Sequence, residues 1–155
     1  MVRTSSRSNS DITRLDLLII AATVLVIVAI YLLVSQFTYA IGFPLDDTWI
    51  HQTYARNLAM NGEWAFRTGL PSAGSTSPLW SALLALGFLL NLSPYIWTYF
   101  LGILTLFTLA VVCEWAVRKI VDSYRPRFPW VGIFIAFEWH LVWAGMSGME
   151  TLLHG

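Results

Sequence analysis

Charge is scarce in this sequence. Lys, Arg, Asp and Glu make up 12% of its 155 residues, and nine basic and nine acidic side chains cancel to a formal net charge of zero. No basic stripe exists to neutralise phosphates, which excludes a nucleic-acid partner. The single cysteine, Cys113, cannot form an internal disulfide and says nothing of the redox compartment. It lies in an apolar run and reads as a small core residue. Internal repeats and low-complexity tracts are also missing, which removes solenoids and linker-like proteins from consideration. What remains is apolar: 57% of residues are hydrophobic, with eight Trp and six Tyr. That balance lies outside the range of soluble domains and points to a membrane, with aromatic rings suited to the headgroup level.

The hydropathy pattern predicts an all-α fold, a polytopic membrane helical bundle with an extracytoplasmic loop bearing an amphipathic interfacial helix. Residues 1–14 are polar, Ser-rich and basic through Arg3, Arg7 and Arg14, and read as a disordered cytoplasmic tail. Residues 15–37 are almost unbroken Leu, Ile, Val and Ala, with Asp16 the only charge. This run is long enough for a hydrocarbon core of about 30 Å. It exceeds the apolar stretch of about 7–15 residues expected of a cleavable signal peptide, so it reads as a retained anchor with the N-terminus inside.

Residues 38–76 hold most of the polar groups and form the predicted extracytoplasmic loop. Pro44 precedes a helical pattern in which Trp49, Ile50, Tyr54 and Leu58 recur at three- and four-residue intervals, and Asn61-Gly62 supplies a stop. The pattern predicts a helix lying along the membrane surface. Residues 68–77, TGLPSAGSTS, form a small-residue loop able to wrap a ligand, and Pro78 fits the first turn of a following helix.

Further apolar segments cover 77–92, which is short for a span and has a re-entrant alternative, then 95–117 and 128–146, the last interrupted by Glu138 and His140. A polar connection occupies 118–127, and 147–155 reads as the start of a further, truncated segment. Three full spans before the polar connection is the expectation. It leaves Arg118, Lys119, Arg125 and Arg127 outside, against the positive-inside tendency, which a re-entrant 77–92 would restore.

Asp46 and Asp47 at the head of the loop helix are the sharpest chemical feature. One carboxylate can cap the helix by accepting a backbone N–H. The second complements the helix dipole, acts as a general base on a hydroxyl, or helps hold a divalent cation that neutralises phosphate. Spacing alone leaves these alternatives open. Within a membrane run, Glu138 and His140 are functional candidates because ionisable groups are costly there, and a pairing role serves equally.

The run L-D-D-x-W-I-x-Q-x-Y-A-R-N-L-A-x-N-G-E-W at 45–64, with G-S-T-S-P-L-W at 74–80 and S-G-M-E-T at 147–151, resembles the N-terminal part of the GT-C superfamily of integral membrane glycosyltransferases. Arabinofuranosyl- and mannosyltransferase-like members are closest in pattern. The resemblance implies transfer of a sugar from a polyprenyl-phosphate donor to an acceptor hydroxyl, at a bacterial-type plasma membrane. It makes Asp46 or Asp47 the catalytic carboxylate, with its neighbour orienting it or binding the cation. Arg56 and Arg67 become candidates for the donor phosphate, with lipid-facing snorkelling as the alternative. His51, one turn beyond Asp47, is either a ligand for a sugar or carboxylate or a surface histidine at the headgroups. Glu63 and Trp64 match the acidic-aromatic pair that follows this helix in similar proteins. Ser75, Thr76 and Ser77 would bind ligand or cap the next helix, and Glu150 sits in the third motif.

The departure from that family is length, since its members carry many more spans. The implied enzyme therefore requires a missing C-terminal part or a larger membrane complex as partner, alongside the bilayer and the lipid-linked sugar. The alternative function is a small non-catalytic transmembrane subunit of such a complex.

Overall fold

The computed structural model describes residues 11–121, 123–124 and 126–154. Most of the predicted N-terminal tail, together with Arg125 of the basic cluster, lies outside them. The described residues form six α-helices: α1 Arg14–Thr38, α2 Asp47–Asn61, α3 Pro78–Leu89, α4 Pro94–Ile120, α5 Trp130–Phe137 and α6 Trp139–Met146. A 3-10 turn follows at Thr151–Leu153. No strand occurs among them, and α1 and α4 are long and apolar enough to cross a membrane.

A capping box starts α1. The Thr13 hydroxyl accepts from the Asp16 N–H at 3.2 Å, and the Asp16 carboxylate accepts from the Thr13 N–H at 2.9 Å. Asp16, read from sequence only as a charge at the start of the run, is thus buried at a helix terminus. Farther along, Ile20, Val24 and Val28 form a stripe at four-residue spacing that joins one core with Leu106 and Ala110 of α4 and Ala136 of α5. The remaining faces of α1, including Leu18, Leu25 and Leu33, are exposed.

Arg118 near the end of α4 donates to Asp16 at 3.0 Å and to Glu114 at 2.6 Å, while Lys119 donates to Asp11 at 2.9 Å. The two long helices therefore run antiparallel, and Arg118 and Lys119 at the end of α4 stand at the same end as Asp11 and Asp16. The second of the three spans expected before the polar connection, over 77–92, coincides with α3, whose 12 residues reach only about 18 Å. The Asn91 region and Pro94 stop it on one side and Pro78 starts it on the other, so the apolar stretch cannot lengthen.

Glu114 is fully buried in α4. Its second oxygen accepts the N–H groups of Val131 at 3.0 Å and Gly132 at 3.1 Å, the orphan donors at the start of α5. From there the chain returns along α4, but not as the single helix expected over 128–146. Glu138 adopts an extended conformation and its carboxylate accepts the Leu141 N–H at 2.8 Å, capping α6 and dividing the segment into two eight-residue helices. Where α6 crosses α4, a Cβ on Gly102 would strike the Gly145 carbonyl, so the glycines set how closely the helices approach.

At the other end of the α1–α4 pair, α2 and α3 pack together around Ala55, Trp80, Leu84, Ala85 and Leu101. The buried face of α2 also carries Thr48, His51 and Gln52, whereas Trp49 is exposed. Helix α2 therefore presents a polar face inward, which apolar periodicity did not anticipate. Gly62 ends it in the left-handed conformation at φ 68°.

Candidate functional site

The inward polar face of α2 brings together the three motif segments. His51 is 1% exposed, and its Nδ1 lies 3.1 Å from the Ser81 hydroxyl and 3.3 Å from that of Ser75. The two serine hydroxyls are themselves 2.9 Å apart. On the other side of the ring, Nε2 lies 3.1 Å from Glu150 Oε2. The contact lacks hydrogen-bond alignment, since Oε2 has no hydrogen-bonding partner. Thr76 donates to Glu150 Oε1 at 3.3 Å, and Ser77 pairs with His154 at 3.4 Å. The alternative of a surface histidine is overturned: packing and hydroxyl partners hold His51 inside.

Around this cluster, the third motif is fixed through its backbone. Thr48 donates to the Ser147 carbonyl at 2.8 Å and Trp80 to that of Gly148 at 2.9 Å. Gly148 has φ 83°, and a Cβ there would meet Thr48 and the Phe43 ring. The glycine of S-G-M-E-T is thus required by both conformation and space. Gln52 donates to Thr98 of α4 at 2.7 Å, tying α2 to the long helices. Tyr54 pins the small-residue loop, contacting the Ser72 hydroxyl at 2.5 Å and accepting the Gly74 N–H at 2.8 Å.

The twin aspartates share no hydrogen bond or ion pair with this cluster among the described residues. Asp46 is the N-cap of α2 and accepts the Asp47 N–H at 3.0 Å. The Asp47 carboxylate is exposed, with no hydrogen-bond or ion-pair partner among the described residues. Capping therefore accounts for one carboxylate and leaves the other free. Phe43 and Pro44, just before the pair, help line a cavity of about 590 Å³ whose other walls come from the end of α1 and from Trp139 and Trp143 of α6. No three-residue group of His, Cys, Asp and Glu that could hold a metal occurs among the described residues. Asp46 and Asp47 would thus supply at most two carboxylates to a cation, with no third such side chain beside them among the described residues.

The other candidates are dispersed. Arg56 and Arg67 are exposed. Glu63 accepts the Gly69 N–H at 2.8 Å and so closes its own loop, while Trp64 packs against Tyr54 with ring centroids 5.3 Å apart. Glu138 caps α6 and pairs with the exposed His140 at 2.8 Å. Ser77 is the N-cap of α3 but makes no side-chain capping bond, so neither Ser75 nor Thr76 serves that purpose. Sequence reasoning missed Ser81, His154, Glu114 and Arg118. The first two carry no local signal, but Glu114 and Arg118 stand four residues apart on one helix and were legible as a pair.

Comparison with known proteins finds no family model that matches the chain, no curated protein that matches it and no solved structure that matches it.

Proposed function

We propose that the chain is the N-terminal module of a membrane glycosyltransferase, moving a sugar from a polyprenyl-phosphate donor to an acceptor hydroxyl on the extracytoplasmic face. On this reading α1 and α4 span, the N-terminus is cytoplasmic, and α2 and α3 lie at the outer surface with the remaining helices completing a polytopic bundle. The observation that carries it is convergence. Segments 45–64, 74–80 and 147–151, from which the family resemblance comes, interlock through His51, Ser75, Thr76, Trp80 and Glu150 rather than lying at unrelated sites.

The roles follow from chemistry. Asp47, unpaired and exposed, takes the proton of the acceptor hydroxyl as that oxygen bonds to the anomeric carbon. The bond from that carbon to the phosphate oxygen breaks, and the phosphate leaves on its lipid. Asp46 orients its neighbour or shares a divalent cation with it. Arg56 and Arg67 offer guanidinium donors to the phosphate. The cavity beside the aspartates is mostly apolar and of a size to receive part of a hydrocarbon chain. A non-catalytic subunit, the alternative, leaves the Asp47 carboxylate only the dipole of α2 to complement.

Binding tests the reading. The protein in lipid nanodiscs, with any polypeptide that co-purifies, should retain a polyprenyl-phosphate sugar and lose it when Arg56 and Arg67 are both replaced by Gln. Equal retention of a polyprenol lacking phosphate and sugar would count against it.

A further inference from the structure

We infer that Glu150 and Thr76 form a wall that receives an uncharged, hydroxyl-bearing ligand, with His51 as the residue that positions them. The inference rests on the glycosyl-transfer reading for the presence of a saccharide, and it names the side of the site that takes the acceptor.

Charge decides the ligand class. Among the described residues no lysine or arginine lies within ion-pair distance of Glu150, and its ionisable neighbour is His51. A phosphate brought here would meet a carboxylate with no cation to offset it, whereas a hydroxyl would find acceptors. A carboxylate has about four lone-pair sites. At Glu150 Oε1 accepts one hydrogen bond, from Thr76 at 3.3 Å, and keeps lone pairs for a ligand hydroxyl, while Oε2 is buried against His51. Thr76 is exposed, so its hydroxyl is reachable by ligand as donor or acceptor. The Glu150 side chain keeps 16% of its surface exposed, enough to present an edge beside Thr76.

His51 cannot touch that ligand, because it is buried. Its effect passes through its neighbours. Nε2 lies 3.1 Å from Glu150 Oε2, so the ring packs directly against that side chain. Nδ1 meets Ser75 and Ser81 on the segment that leads into and out of Thr76. One ring thus sets the spacing between the Thr76 and Glu150 side chains, which come from distant parts of the chain.

The test measures binding without turnover. Methyl α-mannopyranoside and methyl α-arabinofuranoside are titrated onto the protein in nanodiscs, with mannose 6-phosphate as the charged comparison. At least one methyl glycoside should bind, and Glu150→Gln should weaken it about tenfold or more, the loss expected for a hydrogen bond to a charged acceptor. Thr76→Val, which keeps the volume, should weaken it several-fold. The phosphorylated sugar should bind worse than the uncharged ones, and Glu150→Gln should narrow that gap. His51→Gln, which retains an N–H, should preserve more affinity than His51→Leu at equal helix content by circular dichroism. Unchanged affinity in both Glu150→Gln and Thr76→Val, equal binding of the phosphorylated sugar, or no glycoside binding would overturn the inference. A protein that binds the glycoside through Glu150 yet transfers no sugar would instead defeat the catalytic reading alone.

Discussion

Arg118 donates to Asp16 at 3.0 Å, fastening the last turns of α4 to the first turn of α1. Both side chains are buried, and the contact fixes which ends of the two long helices share a side. It also dictates topology. With Cys113 changed to Ala, single cysteines introduced at Arg127 and at Arg67 should react with a membrane-impermeant thiol reagent from opposite sides. Labelling of both from one side would contradict the antiparallel pairing as a transmembrane arrangement.

The same network sets a stability cost. Arg118→Leu leaves Asp16 and Glu114 buried without their cation, and breaking a buried pair in this way costs about 3–5 kcal/mol. Denaturant unfolding in detergent should show a loss of that size. Replacing Asp16, Glu114 and Arg118 together with apolar residues should recover part of it, because no charge is then stranded. A loss below about 1 kcal/mol for Arg118→Leu, the range of surface ion pairs, would place the network in water.

Asp11, outside the long helices, reports the adjacent Lys119 contact by titration. The hydrogen bond from Lys119, and then its charge, hold the Asp11 carboxyl below its ordinary 3.8. A depressed folded value means the contribution is present above 3.8 and is lost as pH falls through the folded value. Asp11 is fully exposed, so the effect should be small and weakened by salt. NMR titration should find the value low and Lys119→Ala should return it toward 3.8; no change in that variant would show the pair is not formed.

Glycine substitutions separate strain from space. Gly148→Ala combines φ 83° with a Cβ that meets Thr48 and Phe43, while Gly62→Ala has φ 68° but open space around it. Gly62→Ala should cost about 1 kcal/mol and Gly148→Ala clearly more, of order 2–3 kcal/mol, in thermal or denaturant unfolding. Equal losses would mean that the third motif is not seated on α2.

Much of this architecture is legible in the sequence, for identifiable reasons. The long runs that become α1 and α4 announce themselves by length, and Pro44, Gly62 and Pro78 punctuate α2 and α3 through backbone rules. Three features are not legible. The inward turn of the polar face of α2 depends on partners in α3 and in 147–151, far away in sequence. The break at Glu138 depends on one carboxylate taking a backbone N–H that a continuous helix would have used. His51 alternated between surface and site because burial is a tertiary property, whereas Ser75, Thr76 and Glu150 were noticed through motif resemblance and the fold unites them.

The aspartate pair is where the functional account is most exposed to experiment. Membranes containing the protein and its co-purifying partners are given a radiolabelled polyprenyl-phosphate sugar and an acceptor glycan, and transferred label is counted for Asp46→Asn and Asp47→Asn. The account predicts a fall of at least about a hundredfold for Asp47→Asn, within the range contributed by a general base, and a smaller one for Asp46→Asn. Undiminished transfer in both variants, with normal insertion, would contradict it.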